Sequence, residues 1–240
     1  MRLDVALTPD AFRPEAFRDS VVVVVDVLRA STTIVTALAN GAARVIPCEE
    51  TEEARRTAGS LPSEEVLLCG ERGSRRIPGF DLGNSPAEYT RDRVEGRTLV
   101  FTTTNGTRLL RRSAGCRQVC VGGFVNARAV VGMLSSREED CAIACAGQEG
   151  RFSMEDAVCA GMIAEAWSLG ADGALGDAAR AAVLLHRYYA EDLRKMAEAS
   201  SHGRTLLGLG LDRDLELCTR TDVYDLVPVL GESGLIVDKG

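Results

Sequence analysis

Short apolar runs alternate with segments of helical spacing along the first two thirds of this 240-residue chain. The clearest run is five consecutive valines, Val21 to Val25, and the helical pattern after it closes at Gly41. Continuous apolar strands that alternate with helices are typical of parallel sheets buried on both faces. The alternation therefore predicts an α/β protein, a three-layer α/β/α sandwich with a mostly parallel sheet and a helical C-terminal third.

The predicted elements follow from this periodicity. Strands are expected over Arg2 to Leu7, Val21 to Val27, Arg44 to Pro47, Val66 to Gly70, Arg97 to Thr102, Gln118 to Val121 and Asp140 to Ala144. Helices are expected over Thr32 to Asn40, Glu49 to Ala58, Gly106 to Arg112, Asn126 to Leu134, Ser153 to Leu169, Leu175 to Ala190 and Glu191 to Ser200, with shorter pieces to about Thr219. LVPVL and LIV predict a final hairpin around a Gly-Glu-Ser-Gly turn. Because no linker divides the chain, we expect one domain over residues 1–240.

The composition excludes several classes of protein. Hydrophobic residues make up 45% and charged residues 26%, which is typical of a globular protein. The net charge is −7 and no cluster of basic residues is long enough to suggest a nucleic-acid tract, so nucleic acid is not an expected partner. The longest apolar run is far shorter than the roughly 20 residues of a membrane-spanning helix, and no signal peptide is readable. We therefore expect a cytoplasmic protein with no membrane partner.

Eight cysteines are present. Cys141 and Cys145 would lie about 13 Å apart on a strand, too far to share one zinc ion. A chain of this length needs no disulfides, so we expect the cysteines to be free thiols in the core.

Three predicted strands end in the same way, in a polar turn that leads into a helix. The segments are VVVVVDVLRASTT, LVFTTTNGT and AIACAGQEGRFSMEDA. In an open parallel sheet the carboxyl ends of the strands share one edge, where ligands bind. We therefore expect the three turns to line one pocket.

The first turn places Asp26 directly after the valines, where a buried carboxylate is unfavourable unless a cation or strong donors meet it. Arg29 follows, and Ser31 and Thr32 open a helix whose N-terminus favours an anion. This pattern suits an acid that binds a metal beside a helix end that binds phosphate. It suits equally well an Asp26–Arg29 ion pair with Ser31 as a plain N-cap.

The second turn offers hydroxyls, an amide and a glycine, which together suit an oxyanion. These residues are Thr103, Thr104, Asn105, Gly106 and Thr107. The alternative is that the threonines reflect strand propensity and that Asn105 is an N-cap.

The third turn holds Glu149 and the acids Glu155 and Asp156. Ser153 and Asp156 match a capping box, which is a purely structural interpretation. However, the helix that follows is apolar on nearly every face, so its acidic start is expected to be buried and to point into a cleft. Buried, clustered carboxylates suit Mg²⁺.

A long irregular segment follows Gly70 and carries Arg72, Asn84 and Ser85. Such loops are usually functional or mobile, although a solvated loop is the simpler interpretation. Ser85 and Pro86 predict a short helix start.

No phosphate-binding glycine motif of a nucleotide fold and no G-x-S-x-G elbow occurs. Of the two histidines, His186 is expected in the core or on the surface, without a catalytic role.

Four segments in this order, DVLRASTTIVTALANGA, GERGSRRIPGFDLGNSP, FTTTNGTR and CAGQEGRFSMEDAVCAG, resemble the 2-phosphosulfolactate phosphatase family. Asp222 to Asp225 followed by LVPVL resembles its C-terminal motif. The resemblance covers nearly the whole chain. It implies a Mg²⁺-dependent hydrolase that converts 2-phospho-3-sulfolactate to 3-sulfolactate on the route to coenzyme M.

The resemblance also suggests roles for the polar residues. A small anionic metabolite with phosphate, sulfonate and carboxylate groups would be the partner. Asp26, Glu155 and Asp156 would hold Mg²⁺. Ser31, Thr32 and the turn from Thr103 to Thr107 would bind phosphate. Arg29, Arg72, Asn84 and Ser85 would bind the sulfonate or the carboxylate.

Two mechanisms are open at this point. In the first, which we favour, Mg²⁺ lowers the pKa of a water that attacks phosphorus with help from Glu149 or a metal-binding carboxylate. In the second, Asp26 is the nucleophile and forms an aspartyl phosphate, as in haloacid-dehalogenase-type phosphatases. Their D-x-D pattern would need an acid at position 28, where this chain has Leu28.

Two other functions are alternatives: a haloacid-dehalogenase-like phosphatase of broader specificity, or a protein that binds a phosphorylated or sulfonated metabolite without catalysis. A homodimer is expected from apolar surface in the helical third.

Overall fold

The computed structural model describes residues 1–170 and 173–237. In this part of the chain, eleven strands form one mixed sheet in the order β5-β4-β6-β3-β11-β10-β7-β2-β8-β1-β9. The strands are β1 Arg2–Ala6, β2 Val21–Val25, β3 Arg44–Cys48, β4 Val66–Arg72, β5 Arg75–Arg76, β6 Thr98–Thr102, β7 Gln118–Gly122, β8 Cys141–Cys145, β9 Ala174–Leu175, β10 Pro228–Gly231 and β11 Gly234–Val237.

Helices connect and cover these strands. They are α1 Ala30–Ala39, α2 Thr51–Gly59, α3 Arg91–Val94, α4 Gly106–Ser113, α5 Ala127–Ser135, α6 Met154–Gly170, α7 Asp177–Tyr189, α8 Leu193–Ala199, α9 Ser201–Gly208 and α10 Asp212–Cys218. All seven predicted strands and all seven predicted helices are confirmed, with shifted ends. The α/β class with a mostly parallel sheet is confirmed as well. One boundary was wrong for a clear reason: Leu175 pairs with Leu3 as part of β9, so α7 begins only at Asp177.

Two groups of parallel strands make up most of the sheet. β4, β6 and β3 form one group, and β7, β2, β8, β1 and β9 form the other. The predicted C-terminal hairpin is confirmed, and it lies between the two groups. β10 pairs with β7 and β11 pairs with β3, both antiparallel. The end of the chain therefore joins the two halves of the sheet.

The five valines of β2 show why the sheet is buried on both faces. Val22 and Val24 pack in the core shared with α1 and α4. Val21, Val23 and Val25 pack in a second core with α5, α6 and α7. A third, smaller core forms where α2 covers the other side of β3, β4 and β6. Helices thus lie on both faces, as expected for three layers.

All eight cysteines are free thiols, and seven of them are buried. Cys141 and Cys145 lie on β8, as the pattern predicted, and contribute to the core between the sheet and α6. Within the described residues, no helix has the length and hydropathy needed to cross a bilayer.

The position of the hairpin can be tested with two neighbouring residues of β11. Leu235 is fully buried, whereas Ile236 is 40% exposed on the opposite side of the strand. We expect Leu235→Ala to lower the free energy of unfolding by about 2 to 5 kcal/mol, because it removes packing at the join between the two strand groups. Ile236→Ala should cost less than about 1 kcal/mol. Urea denaturation of both variants would check this, and equal losses would contradict the placement of the hairpin.

Candidate active site

Asp156 ties two of the polar turns together. It lies in the first turn of α6 and is 2% exposed. Its Oδ1 accepts a hydrogen bond from the Val27 N–H (2.8 Å), and its Oδ2 accepts one from the Gly147 N–H (2.9 Å). Val27 follows β2 and Gly147 follows β8, so one buried carboxylate holds the carboxyl ends of both strands against α6.

The second polar turn approaches Asp26 from another strand. A Cβ atom at Gly106 would lie only 2.7 Å from Asp26 Oδ2, so glycine permits this close approach. Asp26 Oδ1 accepts a hydrogen bond from the Ala30 N–H (3.2 Å), and the Asp26 N–H donates to Ser31 Oγ (2.8 Å). The structure therefore brings the three predicted turns together around Asp26 and Asp156.

Four acids are concentrated here. Asp26, Glu71, Glu155 and Asp156 are each less than 10% exposed. Burial raises the pKa of Asp26 to about 7, and the charges of Glu71 and Glu155 contribute to the rise. Burial, with the charges of Asp26 and Glu155, also holds the pKa of Asp156 well above its usual range. Nearby negative charges thus disfavour the ionisation of both Asp26 and Asp156 in this poorly solvated region.

Arg29 does not neutralise this cluster. The Asp26–Arg29 pair that the sequence left open does not form: Arg29 Nη1 instead lies 2.6 Å from Asp214 Oδ2 on α10. Both side chains are buried, and Asp214 also accepts a hydrogen bond from the Ser85 hydroxyl. Arg29 Nη2 donates to the Ser74 carbonyl (2.8 Å). Asp214, which was not identified from the sequence, therefore binds both Arg29 and Ser85.

The hydroxyls of the second turn have two different roles. Thr103 and Thr107 bond to each other, since the N–H of each donates to the hydroxyl of the other. They hold the shape of the turn. The N–H and hydroxyl of Thr104 both donate to Glu71 Oε1. Asn105 Oδ1 accepts a hydrogen bond from the Glu149 N–H (3.1 Å), which links the second turn to the third.

At the first turn, the predicted phosphate-binding hydroxyls are engaged with the backbone. Ser31 Oγ accepts from the Asp26 N–H, and Thr32 Oγ1 donates to the Val27 carbonyl (3.2 Å). These contacts fix the path of the chain from β2 into α1. The hydroxyls of Ser31 and Thr32 therefore stabilise the turn between β2 and α1.

Glu149 lies at the edge of the site. Its side chain is exposed, and its backbone adopts a positive φ of 51°. Together with Thr104, Asn105 and Arg108 it lines an open cavity of about 450 Å³. This cavity is large enough for a small metabolite and begins where the second and third turns meet.

Among the described residues, Arg72 and Asn84 donate no hydrogen bond to the four carboxylates. Arg72 Nη2 donates to the Glu49 carbonyl and to Thr102 Oγ1, each at 3.0 Å. Because side chains alternate along a strand, Arg72 points to the opposite face of β4 from Glu71. Asn84 is buried and its carbonyl accepts from Thr33 Oγ1 (2.9 Å). Asn84 Oδ1 and Arg29 Nε have no hydrogen-bond partner among the described residues.

His202 is a second residue that sequence reasoning missed. Its Nδ1 lies 3.8 Å from Glu155 Oε1. Burial and the nearby Arg29 charge lower the pKa of His202 to about 4, so the ring is neutral near pH 7 and does not offset the acids. In the sequence, the only feature that pointed to this residue was its position next to a helix cap in SSHGR, which is weak evidence for a role in the site.

The donor set fits a hard cation. Asp26 and Asp156 form no ion pair with a basic side chain in the described residues. The atoms that Asp26, Glu155 and Asp156 offer to a metal ion are all carboxylate oxygens. No three His, Cys, Asp or Glu side chains of residues 1–170 and 173–237 are arranged closely enough to hold a metal ion as they stand. Mg²⁺ usually keeps several waters and takes only one or two carboxylates, so it does not need such a preformed group.

Comparison with known proteins finds similarity to one family along nearly the whole chain. The sequence profile of the family described as 2-phosphosulpholactate phosphatase matches residues 6–233. A probable 2-phosphosulfolactate phosphatase of Symbiobacterium thermophilum is 45% identical over 225 residues, which cover 93% of this chain and 96% of the relative. A protein of the same name from Thermotoga maritima is 42% identical over 87% of this chain and 88% of the relative.

The raised pKa of Asp26 predicts how the stability of the metal-free protein depends on pH. Between pH 4 and 7 the unfolded state ionises Asp26 while the folded state keeps it protonated. Stability should therefore fall as the pH rises through this window, by an amount of the order of 4 kcal/mol from a shift of 3.8 to about 7. Asp26→Asn should remove this loss. Urea denaturation in EDTA at several pH values would measure it, with exposed Asp225→Asn as the control. Parallel curves for Asp26→Asn and the wild type would contradict the prediction.

Proposed function

This chain belongs to the 2-phosphosulpholactate phosphatase family, and we propose that it hydrolyses 2-phospho-3-sulfolactate to 3-sulfolactate and inorganic phosphate. The names of relatives aligned along nearly the whole chain support the substrate. The observation that carries the chemistry is the convergence of Asp26, Glu155 and Asp156 beside a turn rich in hydrogen-bond donors. Phosphoryl transfer depends mainly on positioning and on charge stabilisation, which such a site provides.

We further propose that Asp26, Glu155 and Asp156 together hold a hydrated Mg²⁺, with one or two of these carboxylates as direct ligands and waters completing its coordination. When bound, a divalent cation offsets negative charge on phosphoryl oxygens and promotes the ionisation of water. The support is the excess of buried carboxylates over basic groups, because a cation would relieve their mutual repulsion.

The residues of the chain would have distinct tasks. Asn105, which lines the open cavity, would donate a hydrogen bond from its side-chain amide to the substrate. The N–H and hydroxyl of Thr104 would keep Glu71 in place beside it. In the mechanism we favour, a water attacks phosphorus and passes its proton to Asp26 or Glu149. The bond between phosphorus and the C2 oxygen breaks, and that oxygen takes up a proton to give 3-sulfolactate. The products are then the hydroxy acid and phosphate.

The alternative in which Asp26 attacks phosphorus lacks its usual partner. Position 28 holds Leu28, which is 3% exposed and packs in the core with α6. An acid–base group two residues after the nucleophile is therefore missing. This absence supports attack by water. The family resemblance implies a reaction on the route to coenzyme M, and we propose that it takes place in the cytoplasm.

The proposed activity predicts metal-dependent phosphate release. With 2-phospho-3-sulfolactate and Mg²⁺ we expect turnover that EDTA abolishes and added Mg²⁺ restores. Asp26→Asn should lower kcat by at least about 1,000-fold while the protein stays folded, because it removes a charged group from the reacting centre. A phosphate-release assay with circular dichroism would check both, and exposed Asp225→Asn is the control. Ligand binding without turnover would instead support a non-catalytic binding protein.

Substitution of Glu149 tests which carboxylate takes the proton. If Glu149 is the general base, Glu149→Gln should lower kcat about 100-fold or more, the usual contribution of such a group. Glu138→Gln, an exposed glutamate outside the site, is the matched control. Steady-state kinetics of both variants would decide, and a loss of less than about tenfold in Glu149→Gln would assign the proton to Asp26.

A further inference from the structure

The junction between α8 and α9 brings His202 into the site. Ser200 caps α9, since its Oγ accepts a hydrogen bond from the Gly203 N–H (2.9 Å). A Cβ atom at position 203 would lie 1.7 Å from the Ala197 carbonyl oxygen, so only glycine permits the two helices to meet this closely. His202 lies between these two residues, and its side chain is 14% exposed. The local geometry thus directs the ring inwards.

The two ring nitrogens of His202 face two different parts of the site. Nδ1 lies 3.8 Å from Glu155 Oε1, and Nε2 lies 3.4 Å from the Ser74 hydroxyl. Ser74 is fixed in turn, because its N–H donates to Glu71 Oε2 (2.8 Å) and its carbonyl accepts from Arg29. A hydroxyl held in this way can donate to Nε2, which leaves the ring proton on Nδ1, towards Glu155.

The distance from Nδ1 to Glu155 is longer than a direct hydrogen bond but suits one bridging water. Glu155 and His202 both line a small cavity of about 150 Å³, which has room for water. Ser153 and Ser200 also line it. The Glu155 carboxylate therefore faces a cavity lined by polar residues from the start of α6 and from the junction of α8 and α9.

We propose that His202 is a positioning residue that orients the Glu155 carboxylate for the divalent cation. This inference rests on the proposed function, since it concerns the same metal site. Partners that hydrogen-bond to metal-binding carboxylates and histidines fix their orientation, and their loss typically lowers metal affinity or activity by about 10- to 100-fold. The helical C-terminal third would thus help to determine how strongly the site at the sheet edge binds its metal.

The chain offers a matched control for this idea. His186, the other histidine, also contacts a glutamate: its Nδ1 lies 2.8 Å from Glu165 Oε2 between α7 and α6. That pair belongs to a surface cluster with Arg187, away from the acids. His186→Gln therefore removes a histidine–glutamate contact of the same kind without touching the site.

The experiment is a calorimetric titration of the full-length protein with MgCl₂, without substrate. His202→Asn keeps an N–H donor at the position of Nδ1, whereas His202→Gln moves the amide to the position of Nε2 and His202→Leu keeps only bulk. We expect Kd for Mg²⁺ to rise about 10- to 100-fold in His202→Gln and His202→Leu, and to stay within about threefold of the wild type in His202→Asn and His186→Gln. Urea denaturation of each variant monitors folding. If His202→Leu does not fold, the comparison of His202→Asn with His202→Gln still decides.

Three outcomes would overturn the inference. Unchanged Mg²⁺ affinity in His202→Gln would show that the ring does not act on Glu155. Equal losses in His202→Asn and His202→Gln would show that the residue only fills space. If the wild type itself releases phosphate without binding Mg²⁺, the metal assignment in the proposed function fails, and the inference fails with it.

Discussion

Burial of negative charge without balancing positive charge is the constraint on which the site depends. Asp26 and Asp156 lie in the protein interior, where an isolated carboxylate is strongly disfavoured. Their carboxyl oxygens accept hydrogen bonds from the backbone N–H groups of Val27, Ala30 and Gly147, and no arginine of the described residues pairs with them. Such an arrangement reduces the stability of the folded state, and groups of this kind are concentrated at functional sites. A cation and an anionic substrate together would restore the balance.

The rest of the fold supplies the rigidity that this arrangement requires. Asp156 connects the ends of β2 and β8, and Gly106 allows the turn after β6 to approach Asp26. The buried Arg29–Asp214 pair attaches α10 to the same region. A pair of this kind is weak support for net stability, but the loss of one partner would leave an unpaired buried charge. The helical third is thereby held against the edge of the sheet.

Much of this could be predicted from the sequence, for physical reasons. The five valines of β2 are apolar on both faces, so burial under two helical layers followed directly. Asp26 was identifiable because an acid after such a strand is costly unless it has a function. Glu155 and Asp156 were identifiable because the helix that follows them is apolar all round. The predicted convergence of the three turns is confirmed, but not for the predicted reason. Three antiparallel pairings separate β6 from β2 and β8, so these strands do not run in the same sense. The turn after β6 reaches Asp26 because Gly106 permits the close approach.

Contacts between residues far apart in the chain were decided only by the tertiary structure. Arg29 is three residues from Asp26 but pairs with Asp214, which is 185 positions away, because the fold brings α10 next to the residue that precedes α1. Arg72 is next to Glu71 but points to the other face of β4, because side chains alternate along a strand. The hairpin lies in the middle of the sheet, although local turn residues could only show that it forms. Local sequence thus determined which segments are strands, helices and acidic turns, since these depend on periodicity and on the cost of burying charge. The partners of each charged group depend on long-range packing, which no local pattern records.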